Sequence, residues 1–238
     1  MNGLIALCAT LALLVLVGAA LGLLDRERFV LRWLLVAALL VAINDALLTR
    51  VYGTAPDLLA GSDLNWQGKV LALAATLAIA AHPRFTWRRV GLTLAHAPGS
   101  LRAALPVVLL YCAFFIVIAV VFPGGTASAE DVAFQLTMPG LEEETFYRGI
   151  LLFALGEAYT GRTRFLDVDW HWGAVLSCLL FGMTHAFGFS ENRFSFDTLT
   201  MALTALPAFI AVWLRLRSGS LLLPIVVHNF GNAITMLL

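Results

Sequence analysis

The sequence predicts an all-α fold, a polytopic membrane protein with about eight transmembrane helices in a single domain covering residues 1–238. Composition is the first indication, because 61% of the residues are hydrophobic and only 13% are charged, with a mean hydropathy of +0.89. Long apolar runs also recur from one end to the other. Since about 20 residues cross a bilayer, eight helices with short connections use nearly all of the 238 residues.

The predicted spans are separated by short segments rich in charged and turn-forming residues. The spans cover about residues 3–24, 29–49, 67–82, 101–122, 137–158, 171–188, 197–214 and 219–238. The breaks between them lie, in order, at residues 25–28, 53–63, 82–84, 123–125, 161–169, 190–193 and 215–219. The first span lacks the basic start and the cleavage site of a signal peptide, so we expect it to remain as a helix.

The distribution of basic residues predicts the orientation. If successive loops alternate between the two membrane faces, one face carries all fifteen basic residues except Arg50, Lys69 and Arg193. By the positive-inside rule, the arginine-rich face is cytoplasmic and both termini lie outside. Fourteen arginines against one lysine suggest a GC-rich bacterial gene, hence a bacterial inner membrane and periplasmic termini. With zero net charge and no basic patch interleaved with aromatic residues, nucleic acid is not an expected partner.

Three short patterns place ionisable side chains inside these apolar spans. They are Glu143-Glu144-Thr145-Phe146-Tyr147-Arg148, Phe181-Gly182-Met183-Thr184-His185 and His228-Asn229-Phe230-Gly231-Asn232. Such groups are costly in hydrocarbon, so they mark a functional site by default. The predicted topology brings all three patterns to a similar depth, towards the outer side of the bilayer. We therefore expect them to form one site.

The acidic pattern predicts different roles for neighbouring carboxylates. Arg148 follows Glu144 by four residues, so the two side chains are expected to meet on one helix face. That pairing leaves Glu143 free to act on a ligand. Glu142 is the third acid of the run, and we expect it to lie nearest the polar interface. The alternative is a purely structural cluster of acids at a helix N-terminus.

The histidine patterns have a structural alternative as well. His185 follows Phe181 by four residues, and a single histidine in an apolar helix is more often a core residue than a ligand. His228 and Asn232 are also four apart, so their side chains point in one direction. Taken alone, that pair also suits hydrogen bonding between helices.

Together, these residue types suit the hydrolysis of an amide. Glu143 and His185 can hold a water and take its proton as general base, while His228 and Asn232 can donate hydrogen bonds to the oxyanion. No cofactor is needed for this chemistry. A zinc version remains open, with Glu143, His185 and His228 as ligands, although the H-E-x-x-H signature is missing. A proton-coupled transporter and a non-proteolytic peptide-binding protein are alternatives from other classes.

The three patterns resemble E-E-x-x-x-R, F-x-x-x-H and H-x-x-x-N of the CAAX protease and bacteriocin-processing (CPBP, or Abi) family, which includes Rce1-type intramembrane endopeptidases. The resemblance covers about residues 85–238, because Trp87-Arg88-Arg89-Val90-Gly91-Leu92 also resembles the family's lead-in. It implies an eight-helix protease that cleaves membrane-anchored or C-terminal peptide segments within the bilayer. The implied catalytic residues are Glu143, Glu144, His185, His228 and Asn232, with structural support from Arg148 and Phe181.

Overall fold

The computed structural model describes residues 2–59 and 61–238, and helices dominate this part of the chain. In chain order they are α1 (Asn2–Leu24), α2 (Leu31–Leu48), the single turn α3 (Arg50–Gly53), α4 (Trp66–Ala80), α5 (Ser100–Val121), α6 (Ala129–Gln135), a π-helix (Gly140–Leu151) continued by α7 (Leu152–Ala158), α8 (Trp172–Ala186), α9 (Thr198–Ser218) and α10 (Leu222–Leu237). A 3₁₀ turn at Arg26–Arg28 joins the first two helices. The predicted all-α class is confirmed.

The helices have the surface of an integral membrane protein. Within the described residues, four helices (α1, α2, α5 and α9) are long and apolar enough to cross a bilayer, and α4, α8 and α10 are shorter apolar helices. Large apolar side chains face outwards, for example Leu16 in α1 and Leu110 in α5, which are 69% and 70% exposed. Apolar surface on this scale is stable against lipid rather than against water.

The main apolar core lies around the π-helix and its neighbours. Ile150, Leu151 and Leu155 are fully buried there, together with Leu34 of α2 and Val212 of α9. The helix α8 packs along α9, α10 packs along α5, and the π-helix contacts both α4 and α10. The acidic pattern therefore lies on the most enclosed element of the bundle, between helices that are far apart in the sequence.

The π-helix forms most of the first half of the span expected at about residues 137–158. Its first residue is fixed by α10, because the Gly140 N–H donates to Asn229 Oδ1 over 2.7 Å and the Asn229 amide donates to the Thr137 carbonyl over 3.3 Å. A side chain at Gly140 would lie 2.4 Å from Asn229 Oδ1, so this close approach requires glycine. π-helical segments are rare and occur frequently at functional sites.

Two short hairpins and one short helix lie between the spans and were not predicted. Thr163–Phe165 (β1) pairs with Val168–Trp170 (β2), and Phe187–Ser190 (β3) pairs with Arg193–Phe196 (β4). The two residues in each turn have positive φ angles, as tight hairpin turns require.

The short helix α6 begins with a capping box. The Ser128 hydroxyl accepts from the Asp131 N–H, and the Asp131 carboxylate accepts from the Ser128 N–H. Such reciprocal bonds satisfy free N–H groups at a helix start. They also hold the pKa of Asp131 below its usual value, because the ionised carboxylate is the better acceptor.

Candidate active site

The structure brings Glu143, His185 and His228 together from three helical segments. Glu143 lies on the π-helix, His185 near the end of α8 and His228 in the middle of α10. Glu143 Oε2 lies 4.0 Å from His185 Nε2 and 3.7 Å from His228 Nε2. The side chains of Glu143 and His228 are mostly buried, whereas that of His185 is 38% exposed. One carboxylate oxygen therefore faces two imidazole nitrogens at distances slightly beyond a direct hydrogen bond.

Glu144 links Arg148 to His228. The predicted contact with Arg148 is confirmed, because Arg148 Nε lies 3.1 Å from Glu144 Oε2 and both side chains are almost fully buried. The other carboxylate oxygen, Oε1, lies 2.6 Å from His228 Nδ1. Since a carboxylate only accepts hydrogen bonds, Nδ1 carries a hydrogen. This bond fixes the His228 ring with Nε2 directed towards Glu143.

Phe181 contacts both the second histidine and the buried arginine. Its backbone carbonyl accepts a hydrogen bond of 2.7 Å from His185 Nδ1. A carbonyl oxygen has no hydrogen to donate, so Nδ1 is the donor and Nε2 of the neutral ring carries the free lone pair. The Phe181 ring lies beneath the Arg148 guanidinium at 4.3 Å, a distance suited to a cation–π contact.

Asn232 lines the same cavity as Glu143. The cavity has a volume of about 270 Å³. Its lining consists of Tyr111, Phe115, Glu143, Glu144, Arg148, Phe181, His185, Leu203, Thr204, Pro207, Ala208, Ala211, His228 and Asn232. One N–H of the Asn232 amide donates to Gln135 Oε1 of α6 over 3.1 Å. An amide group has two N–H donors, so the second remains for a ligand in the cavity.

Glu142 is fully buried inside the bundle. Its Oε2 lies 2.8 Å from Lys69 Nζ, and its Oε1 accepts from the Asn44 amide over 3.1 Å. Successive side chains of a helix point in different directions around its axis, and Glu142 points towards α2 and α4. Asp45, next to Asn44, instead accepts from the Tyr52 hydroxyl over 2.5 Å.

Lys69 belongs to the site although the sequence patterns do not include it. The charge distribution places it on the outer face, and its ammonium lies 2.6 Å from Glu143 Oε1. The available signal was its place inside a predicted span, where a charged side chain is costly unless it is paired. It is, moreover, the only lysine in the chain.

A second cavity lies on the other side of Glu143. It has a volume of about 240 Å³ and is lined by Leu7, Val41, Asn44, Asp45, Leu48, Lys69, Glu142, Glu143, Phe146, Tyr147, Thr184 and His185. Glu143 and His185 line both cavities. The pair therefore stands between two spaces, each large enough to hold a few atoms of an extended chain.

A zinc ion fits this arrangement poorly. Across residues 2–59 and 61–238, no group of three or more histidine, cysteine or acidic side chains has the arrangement of a metal site. An ion held by Glu143, His185 and His228 would also lie close to the Lys69 ammonium, which is 2.6 Å from Glu143 Oε1. Like charges at such short range repel strongly in a buried site.

Comparison with known proteins agrees with the motifs. Residues 125–234 match the family described as type II CAAX prenyl endopeptidase Rce1-like, and this range contains all three patterns. The match starts after α5, so the lead-in at residues 87–92 lies outside it. Neither a search of curated proteins nor a search of solved structures gives a match. This match supports an intramembrane endopeptidase activity in general terms. Over residues 125–234, this integral membrane protein is therefore similar to the Rce1-like CAAX endopeptidases.

Proposed function

We propose that the chain is an intramembrane endopeptidase in which Glu143 and His185 activate a water molecule. The observation that carries this proposal is the approach of Glu143 Oε2 to the two imidazole nitrogens, at 4.0 Å for His185 and 3.7 Å for His228. Two polar atoms about 4 Å apart can each reach one shared water at roughly 2.8 Å. A water at this point would lie on the wall of the larger cavity.

The proposed reaction begins with proton transfer from water to Glu143. The resulting hydroxide attacks the carbonyl carbon of the scissile peptide bond, and the carbonyl oxygen becomes an oxyanion. When the carbon–nitrogen bond breaks, the proton held by Glu143 passes to the leaving amine. His185 assists by accepting the second water hydrogen at Nε2, because its Nδ1 hydrogen is committed to the Phe181 carbonyl.

His228 and Asn232 are proposed to stabilise the oxyanion. The free N–H of Asn232 supplies one donor. His228 supplies the other through Nε2 when its ring carries two protons, and the Glu144 carboxylate at 2.6 Å from Nδ1 offsets the charge of that ring. Fixed donors in a site with little water stabilise a developing negative charge more than water does.

The substrate is proposed to be a membrane-anchored peptide cleaved near its C-terminus. The name of the matched family points to a prenylated CAAX sequence. The larger cavity agrees with an apolar segment beside the scissile bond, since Tyr111, Phe115, Leu203 and Pro207 form much of its wall. The lipid chain itself would remain in the bilayer.

The reaction is also proposed to need no metal. Lys69 already balances part of the negative charge on Glu143, and a carboxylate with a histidine is a sufficient general base.

Cleavage of defined peptides tests the proposal. The purified protein in liposomes would receive one quenched fluorescent peptide with a C-terminal CAAX sequence in three forms: farnesylated, palmitoylated and without lipid. We expect cleavage of a lipidated form, with products identified by mass spectrometry, no loss with 1,10-phenanthroline, and no cleavage by the His185→Ala variant. Absence of cleavage of all three peptides by a folded protein would refute the protease assignment. Full inhibition by the chelator that zinc restores would refute the metal-free mechanism.

The orientation is a separate proposal. Both termini are proposed to lie on the periplasmic side of a bacterial inner membrane, as the distribution of arginines indicates. A C-terminal fusion to alkaline phosphatase, which is active only outside the cytoplasm, should therefore be active. Activity of a cytoplasmic reporter at the same position would reverse the assignment.

A further inference from the structure

The position of Lys69 is not explained by the electrostatics of its own helix. Lys69 lies in the first turn of α4, where Asn65 caps the helix by accepting from the Gly68 N–H over 3.1 Å. A positive charge near a helix N-terminus opposes the helix dipole. The two glutamates that its ammonium contacts across the bundle offset this cost. The side chain is 13% exposed, so solvent contributes little to its charge balance.

The contact with Glu143 divides the two oxygens of that carboxylate between different partners. Oε1 is held by Lys69 at 2.6 Å, and Oε2 faces the Nε2 atoms of His185 and His228. A carboxylate held at one oxygen cannot turn freely about its last side-chain bond. The second oxygen is therefore kept on the side where the water is proposed to bind.

We propose that Lys69 is a positioning residue for Glu143: it keeps the carboxylate ionised and directs Oε2 at the water. This inference rests on the proposed function. The simpler alternative is that Lys69 only neutralises Glu142. Two observations favour the contact with Glu143: it is the shorter of the two, and Glu142 has a further donor in Asn44.

A chemical probe of protonation tests this without any substrate. A hydrophobic carbodiimide reacts with protonated carboxyl groups in membranes, and mass spectrometry locates the modified glutamate. In the wild type at neutral pH, we expect little modification of Glu143. In Lys69→Met, modification should rise by about tenfold or more, because an adjacent cation shifts a carboxyl equilibrium by about one to three pH units. Lys69→Arg should stay near the wild type, since the cavity beside Lys69 has room for a guanidinium.

Two further variants separate positioning from simple charge balance. Lys69→Met combined with Glu142→Gln removes one positive and one negative charge, so the net charge of the cluster stays the same. If Lys69 acts on Glu143, this double variant should remain as reactive as Lys69→Met. Arg50→Met is the matched control, because it removes an ion pair of 2.6 Å with Asp57 in an outer segment of the chain. It should behave as the wild type in all assays.

Cleavage kinetics with the lipidated CAAX peptide give a second measure. Lys69→Met should lower kcat about tenfold or more with KM within about twofold, and should move the acid-side half-activity point to higher pH by about one unit. Lys69→Arg should keep most of the wild-type kcat and an acid-side half-activity point close to that of the wild type. Unchanged Glu143 modification in a folded Lys69→Met protein would overturn the inference, as would full recovery in the double variant. If no peptide is cleaved but Glu143 modification depends on Lys69, the protease assignment fails while the pairing is supported.

Discussion

Replacement of the three successive glutamates by glutamine, one at a time, should give three different phenotypes. In Glu143→Gln the shape of the side chain is retained and Lys69 keeps Glu142 as its partner, so the fold should persist. Loss of a general base lowers turnover by about 10²–10⁴. We therefore expect kcat to fall by that factor while the thermal unfolding temperature remains close to that of the wild type.

Glu144→Gln should act mainly through stability. The side chains of Arg148 and Glu144 are only 2% and 1% exposed, and Arg148 Nε lies 3.1 Å from Glu144 Oε2. Removal of one partner leaves a charge in the interior without compensation, which costs about 3–5 kcal/mol. The Phe181 ring at 4.3 Å from the guanidinium recovers only a part of this, since a desolvated cation–π contact is worth about 2 kcal/mol. The variant should unfold at a lower temperature and yield less protein.

Glu142→Gln should be the mildest of the three. Glutamine keeps the oxygen that accepts from Asn44, and Lys69 keeps its contact with Glu143. Activity within a few-fold of the wild type is expected.

The assay uses each protein purified in the same detergent. The cleavage rate of the lipidated CAAX peptide is measured beside thermal unfolding followed by tryptophan fluorescence. Glu143→Gln with more than about a tenth of wild-type activity would move the base to another residue. A Glu144→Gln protein as stable as the wild type would remove the structural role from the Glu144–Arg148 pair. An inactive but folded Glu142→Gln protein would contradict the assignment of Glu143 as the general base and favour Glu142.

Three further outcomes are expected from other parts of the site and its surroundings. Asn232→Ala should lower kcat about 10²–10³-fold with little change in KM if its amide binds the oxyanion, and steady-state kinetics with an unchanged kcat would exclude that role. Arg148→Ala should cost about 3–5 kcal/mol by leaving Glu144 buried without its partner, and wild-type survival of heating in detergent would contradict this. Helix α6 should fray below about pH 4. The pKa of Asp131 is lower in the folded protein than in the unfolded chain, so its ionised carboxylate stabilises the fold above the unfolded-state pKa, and this stabilisation is lost as the pH falls through the folded-state pKa. Deuterium uptake of residues 129–135, corrected for intrinsic rate, measures this, and uptake independent of pH would oppose it.

The main features of the fold were predictable because hydrocarbon imposes a strong constraint on sequence. A span needs a long apolar run and a break needs polar or turn-forming residues. Each of the eight predicted spans therefore coincides within a few residues with a longer helix of the described chain, the π-helix and α7 together forming one of them. The same constraint made Glu143, His185 and His228 conspicuous. The predicted topology placed them at a similar depth, and the structure brings the three side chains together.

The features that were missed depend on contacts between distant segments. Lys69 is 74 positions from Glu143 in the sequence. A single polar residue on a helix forms no periodic pattern, so the sequence does not indicate which residue it contacts. The π-helix depends on Asn229, which lies 89 positions from Gly140 and holds its N–H. The burial of Glu142 likewise depends on distant segments, because Lys69 of α4 and Asn44 of α2 hold its carboxylate.

The arrangement of charges gives a reason for three successive glutamates in one site. Glu142, Glu143 and Glu144 carry three negative charges, and Lys69 and Arg148 carry two positive ones. The remaining negative charge has no permanent counter-ion, and a buried charge of this kind is costly in a membrane. Of the three side chains, only Glu143 has an oxygen facing two histidines rather than a lysine, an arginine or an amide. While both histidines are neutral, the cluster is therefore one proton short of neutrality, and that proton can be held at Glu143 Oε2 or at His228 Nε2, which face each other across the position of the proposed water.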